Sequence, residues 1–408
     1  MSGKEIGMRS QTGIHAPLFH SNDPRNNPFT YKMWSTVNHH WRSWKLVDPD
    51  QNTSNNAIFT LQKDTDRNGI MTLEWTWSAL THSGSGNYLR LCDYAPIYKI
   101  DRIEILYGSK SIQTIPAETI HHRILREPHY AKRVGADERI DSNKSPLERS
   151  ILAMSSRKVI LHIPTFWSEC IDKYIPVNAL ADTIKIKVYW NNDNTLIQTD
   201  YTDGEATLTM SDLKLRINDV EHTALDRREM LDRTLTANGI IYKTWTYETD
   251  KEHTIPSGLA AGVYHSVELK SIKNSVYELY FVVRKKAEAG SDPTLVDPSN
   301  LQLVSAWSFL ASNKELIDEQ DDKFTRLMDS DIYYDGVPGA PIYGFTPSLD
   351  PMSSGKHCTG SFTLANTHKP TLKIKFDSTL TEDYLVDVYA KIHQNVQCVG
   401  GRLMETFK

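Results

Sequence analysis

By type and spacing, the residues best suited to chemistry are Asp64-Thr65-Asp66-Arg67-Asn68-Gly69. Oxygen-bearing side chains at places one, three and five, with glycine at six, are how a calcium loop begins. Such a loop needs a bidentate glutamate at place twelve, where this chain has Trp75, with Glu74 one place early. The flanks AIFTLQ and IMTLEWTW read as strands and not as the helices of a calcium loop, so a hairpin turn is expected. His39-His40 and His121-His122 are adjacent pairs. Read as strand residues, the members of each pair point to opposite faces and cannot chelate one metal. Asp318, Glu319, Asp321 and Asp322 read as a solvated acidic loop. Ser83-Gly84-Ser85-Gly86 is a flexible turn without a phosphate-loop lysine, and Asn52-Thr53-Ser54 matches a glycosylation site that means little without a secretory signal. The sequence holds no HExxH, P-loop or GxSxG pattern. No catalytic residue, no cofactor site and no metal ligand is therefore assigned, and the chain is read as not an enzyme.

Composition narrows the partners. The 408 residues carry a formal net charge of −5. A chain that condenses nucleic acid directly needs a dense basic arm to replace phosphate counterions. The first thirty residues hold Lys4, Arg9 and Arg25 against Glu5 and Asp23, so no direct, specific nucleic-acid binding is expected. Cys92, Cys170, Cys358 and Cys398 lie far apart and form no C-x-x-C pair, which reads as buried thiols outside any disulfide, in a reducing compartment. The start MSGKEIGMRSQTG has no apolar core and no run of 18 apolar residues occurs, so a cytosolic protein is expected, neither secreted nor membrane-spanning.

Any functional group must be positioned by strands, because period-two alternation dominates the chain. Ile184, Ile186 and Val188 alternate with Lys185, Lys187 and Tyr189; Leu372, Ile374 and Phe376 alternate with Lys373 and Lys375. Tyr384, Val386, Val388, Ala390 and Ile392 share one face, with Asp387 and Lys391 on the other. Residues 276–284 read as a strand buried on both faces, and shorter strands are expected at 57–61, 71–77, 100–106, 158–163 and 213–217. Ser145-Pro146-Leu147-Glu148 has the form of a capping box with proline at the first helical place, predicting a helix over 146–155 with Leu147, Ile151 and Met154 on one face. The charged stretch 225–233 predicts a second helix, taken as a connector between two nearly equal halves. Residues 287–300 and 318–341 are polar, rich in turn residues, and expected to be long loops.

Several segments, in order, resemble the double jelly-roll major capsid proteins of nucleocytoplasmic large DNA viruses, virophages and polinton-like elements. They begin with Asn27-Pro28-Phe29-Thr30-Tyr31-Lys32 and the apolar strand at Ile100–Leu106, which runs into Tyr107-Gly108-Ser109-Lys110. Ile163-Pro164-Thr165-Phe166-Trp167-Ser168, then Tyr174-Ile175-Pro176-Val177-Asn178-Ala179-Leu180 and the strand at 184–190, match best. Leu213–Val220 with Leu225-Asp226-Arg227-Arg228-Glu229 follows. In the second half come Tyr343-Gly344-Phe345-Thr346-Pro347, Ser353-Ser354-Gly355, Ser361-Phe362-Thr363, Asn366, and Val386-Asp387-Val388-Tyr389-Ala390. Ser353 stands where the family has proline and Ser361 where it has asparagine, which marks a distant relative.

The resemblance implies an all-β chain of two tandem eight-stranded jelly-roll β-sandwiches with short helices in the connecting loops. Its expected division is an N-terminal arm at 1–28, a first jelly roll at 29–225, a helical connector at 226–236 and a second jelly roll at 237–408. It also implies homotrimeric pseudo-hexagonal capsomers tiling an icosahedral shell. Further expected partners are penton and minor capsid proteins and an internal membrane; the expected location is the virion, after assembly in the host cytoplasm. The competing readings are a carbohydrate-binding β-sandwich using Trp75, Trp77, Trp190 and Trp245, and a β-sandwich glycoside hydrolase, for which no carboxylate pair can be chosen.

Overall fold

The computed structural model describes residues 40–127, 130, 135, 144–168, 174–193, 196–201, 204–222, 231, 239–286, 304–312, 314–334, 342–349, 360–365 and 367–407. The N-terminal arm, the segment 27–32, His39, Cys170, Cys358, 287–300, 353–355 and Asn366 lie outside these residues. So does the expected connector, apart from Leu231.

Eight strands make the first pair of sheets: β1 His40–Val47, β2 Asn56–Thr60, β3 Arg67–Trp77, β4 Ile100–Tyr107, β5 Lys110–Pro116, β6 Arg157–Ile163, β7 Ile184–Trp190 and β8 Met210–His222. One sheet runs β1-β8-β3-β6, and the facing sheet runs β2-β7-β4-β5 with Gln51–Asn52 added at its edge. Every pairing is antiparallel, first strand with eighth, second with seventh, third with sixth and fourth with fifth. A long hairpin wrapped once around a barrel gives this order, which is a jelly roll.

The second half repeats it. Strands β9 Ile240–Ile255, β10 Tyr264–Glu268, β11 Ser275–Lys285, β12 Val304–Ala311, β13 Lys314–Asp321, β14 Ile342–Phe345, β15 Thr371–Phe376 and β16 Tyr384–Val399 form sheets β9-β16-β11-β14 and β10-β15-β12-β13. The final strand, β17 Arg402–Phe407, pairs with the end of β16. Gly344 of β14 has no alternative, since a Cβ there would sit 2.4 Å from the Leu279 carbonyl oxygen of β11.

Alternation decides which side chains enter each sandwich. Ile184, Ile186, Val188 and Trp190 of β7 point inward; Trp190 meets Trp75 of β3 edge-to-face at 6.4 Å, and Trp75 meets Trp77 of the same strand at 5.8 Å. In the second lobe Phe281, Trp307, Phe309 and Tyr343 fill the equivalent space. Each such ring contributes about 1.5–3 kcal/mol on burial. Strand β11 is buried on both faces, as its sequence predicts.

Helices depart further from expectation. The capping box at Ser145 is formed: Ser145 Oγ accepts from Glu148 N at 3.3 Å, and Glu148 accepts from Ser145 N at 2.8 Å. The helix, however, places Leu147, Ile151 and Met154 in solvent. A helix not foreseen, α1 Ala117–Arg126, follows β5 directly and carries His121-His122, so these are not strand residues. The helix at Pro146–Ala153 is α2. The stretch 318–341 is not one long loop: it begins inside β13 and continues as a helical segment, π-wound over Phe324–Asp329 and α-helical over Ser330–Tyr334. The Asp64–Gly69 turn is not a hairpin either, because β2 and β3 lie in opposite sheets.

Candidate functional site: the seam between the lobes

The residues singled out for chemistry are held by protein partners. Lys45 bonds Asp64, Asn178 donates to Asp66 at 2.5 Å, and Asn68 donates to Thr65 at 3.2 Å and to Asp219. Burial pushes the Asp219 carboxyl up to about 6, against the Asn68 hydrogen bond that lowers it. Glu74 binds Arg216 and Lys158, and these partners outweigh desolvation to hold its carboxyl below the usual range. Glu319 accepts from Tyr264 and Lys375. No group of three or more metal-ligating side chains comes together among the described residues. The four tryptophans proposed to stack on sugars are at most 8% exposed, so they offer no surface platform. Cys92 and Cys398 are buried, and burial raises the Cys398 thiol to about 11.

What the fold concentrates instead is a polar seam where α1 and the edge of β5 lie across the outer face of the β9-β16-β11-β14 sheet. Gln113 of β5 donates to the Trp245 carbonyl at 2.9 Å and accepts from Phe166 N at 2.9 Å, linking the lobes through one buried amide. Thr246 of β9 donates to the Thr114 carbonyl at 3.3 Å, and Gln394 of β16 donates to the Ile112 carbonyl at 2.6 Å. The outward edge of β5 is thereby satisfied by side chains of the second lobe. Farther along, Tyr107 and Ala181 both donate to the Gly401 carbonyl, at 2.9 and 2.7 Å.

Helix α1 supplies the charged centre. Arg126 bonds Glu278 of β11, and Lys391 of β16 lies 3.7 Å from the same carboxylate; all three side chains are at most 6% exposed. Arg126 also stands over the rings of Tyr334 and Tyr280, at 4.1 and 5.0 Å. Arg123 donates to Glu127 one turn on, at 2.8 Å. His121 shares a 2.7 Å hydrogen bond with Tyr98, and His122 a 3.3 Å hydrogen bond with Tyr280, itself stacked on Tyr389 at 5.1 Å. Burial, then Arg126, drives the His122 imidazole down to about 3; burial, then His122, puts His121 well below its ordinary range. Both rings are neutral at pH 7.

The cavity lined by His122, Arg126, Glu278 and Tyr334 has a volume of about 10 Å³. That is room for one water. The cluster holds two sandwiches together and admits no substrate. Sequence reading missed it because α1 lacks the side-chain cap that marks α2, although Ile120/Ile124 and Arg123/Glu127, each four apart, are its helical signature.

Two wrapped sandwiches joined by a buried seam define a double jelly-roll chain. No family model and no curated protein matches the sequence. Solved structures match over nearly all of it. PBCV-1 VP54, fitted into a cryo-EM reconstruction of the virophage Sputnik, superposes with a TM-score of 0.71 at 9% identity, covering 93% of this chain and 100% of that one. The Faustovirus major capsid protein gives 0.69 at 8% identity, with 97% of each chain covered. The cryo-EM structure of the Sputnik virophage gives 0.63 at 9% identity, covering 98% of this chain and 94% of that one. At such identities the likeness is one of fold. The chain has the double jelly-roll fold of these viral major capsid proteins.

Proposed function

We propose that this chain is a structural major capsid protein, three copies of which form a pseudo-hexagonal tile of an icosahedral shell. The observation that carries the reading is that both wrapped sandwiches, and not one, align with viral capsid chains over nearly their whole lengths. A ring of three two-lobed chains presents six similar lobes, and edge-to-edge packing of such tiles needs only repeated weak contacts made cooperative by closed symmetry. The biological task then resides in the flanks of the sandwiches, and the chain acts in the virion without catalysis. Penton and minor capsid proteins, and an internal membrane, are the further partners of this reading. The lobe division is proposed to follow the sheets, with the first roll ending after β8 and the second beginning at β9.

Light scattering and negative-stain imaging of the purified 46.5 kDa chain test it together. A trimer with a six-lobed outline is expected; a stable monomer in solution would refute it.

A further inference from the structure

Two surfaces in equivalent places of the two lobes have opposite fates. In the first lobe, β5 and the helix that follows it lie against the second lobe, and the outer-face Trp245 of β9 is 2% exposed. In the second lobe, β13 and the helical segment after it hold the same topological place, fourth strand's partner then helix. Yet β13 is exposed over most of its length, and Leu316, Phe324, Met328 and Ile332 are 48–64% exposed. The first strand of the first lobe, β1, likewise leaves the outward-facing Trp44 and Leu46 54% and 45% exposed. An exposed edge strand beside an apolar stripe is a place where another chain docks.

We infer that β13 and the segment Phe324–Ile332 dock on the outer face of the β1-β8-β3-β6 sheet of a second copy of this chain. The occupant is a second copy because the contact already exists within the chain, between the equivalent elements of its two lobes. Charge supports the pairing. Residues 314–334 carry seven acidic side chains against Lys314, Lys323 and Arg326. The receiving face sets Lys158 and Arg216 against the buried carboxylate of Glu74, with Lys214 beside Asp48.

At the internal seam the charges are mixed: Arg126 of α1 enters beside Glu278, and Glu118 of α1 pairs with Lys251 of β9. An acidic segment therefore meets Lys158, Lys214 and Arg216 between chains, whereas charges of both signs meet within the chain. The different charge patterns of the two seams disfavour swapping one for the other and fix the alternation of lobes around the ring. Because donor and receiver are different surfaces of one chain, the contact is head-to-tail and closes only as a ring.

The inference rests on the trimer reading, and sedimentation of the full chain separates the two. Trp44→Asp disables the receiver and Leu316→Asp the donor; Leu46→Glu and Phe324→Glu serve as second variants, circular dichroism verifying the fold of each. Wild type is expected at three times the chain mass, each single variant at one, and an equimolar mixture of Trp44→Asp with Leu316→Asp at two and no higher. Folded single variants that remain trimeric, or a mixture that stays monomeric, overturn the docking surfaces while leaving a trimer standing. A monomeric wild type overturns both.

Discussion

Burying two adjacent imidazoles costs little while both are neutral; protonation is what the seam resists. The unfolded chain titrates His122 near 6.5 and the folded chain near 3, so between these values the unfolded state binds more protons. The stabilisation is fully present above about pH 6.5 and is lost as pH falls toward 3. With the ring completely buried, the share lost by pH 4.5 is on the order of 2–3 kcal/mol. His122→Gln keeps a polar group beside Tyr280 without a titrating ring. Its thermal midpoint is expected to fall less than wild type between pH 7 and pH 4.5, as followed by calorimetry. Parallel pH profiles for the two proteins would remove His122 from the account.

At the scale of elements, α1 and β11 depend on each other. β11 is apolar on both faces because one face fills the second sandwich and the other meets α1, so its sequence reads as a fully buried strand before any partner is known. Glu278 is the exception in that run, and its partners Arg126 and Lys391 come from two different elements. Removing the carboxylate takes the shared partner from two buried cations, at a cost of about 3–5 kcal/mol. Glu278→Gln is expected to lower the unfolding free energy measured in urea by that amount. A loss below about 1 kcal/mol, the value of an exposed pair, would mean the cluster is far more hydrated than its burial indicates. The partnership was hidden from sequence reading because Glu278 and Arg126 are 152 residues apart.

For the whole molecule, sheet pairing and the seam give one chain two lobes with distinct flanks, and charge separates their duties. The N-terminal 30 residues, with three basic and two acidic side chains, lack the density to neutralise packaged nucleic acid. On the capsid reading this arm faces inward, toward minor capsid proteins or a membrane. Deleting residues 1–25 is expected to leave trimers intact in sedimentation and to abolish their incorporation into shells in co-expression. Truncated trimers that enter shells at the wild-type level would show that the arm has no such task.

Strand content and the cap at Ser145 were determined by sequence alone, since alternation and capping are local and a buried face leaves its period in the chain; the doubling of the fold was legible only as an ordered resemblance to a known family. Two things were decided only by tertiary structure: the crossing of Asp64–Gly69 between sheets, and the seam that neutralises the His121 and His122 rings. Each depends on which strands pair across more than a hundred residues, and pairing of that range leaves no periodic trace in the residues it joins.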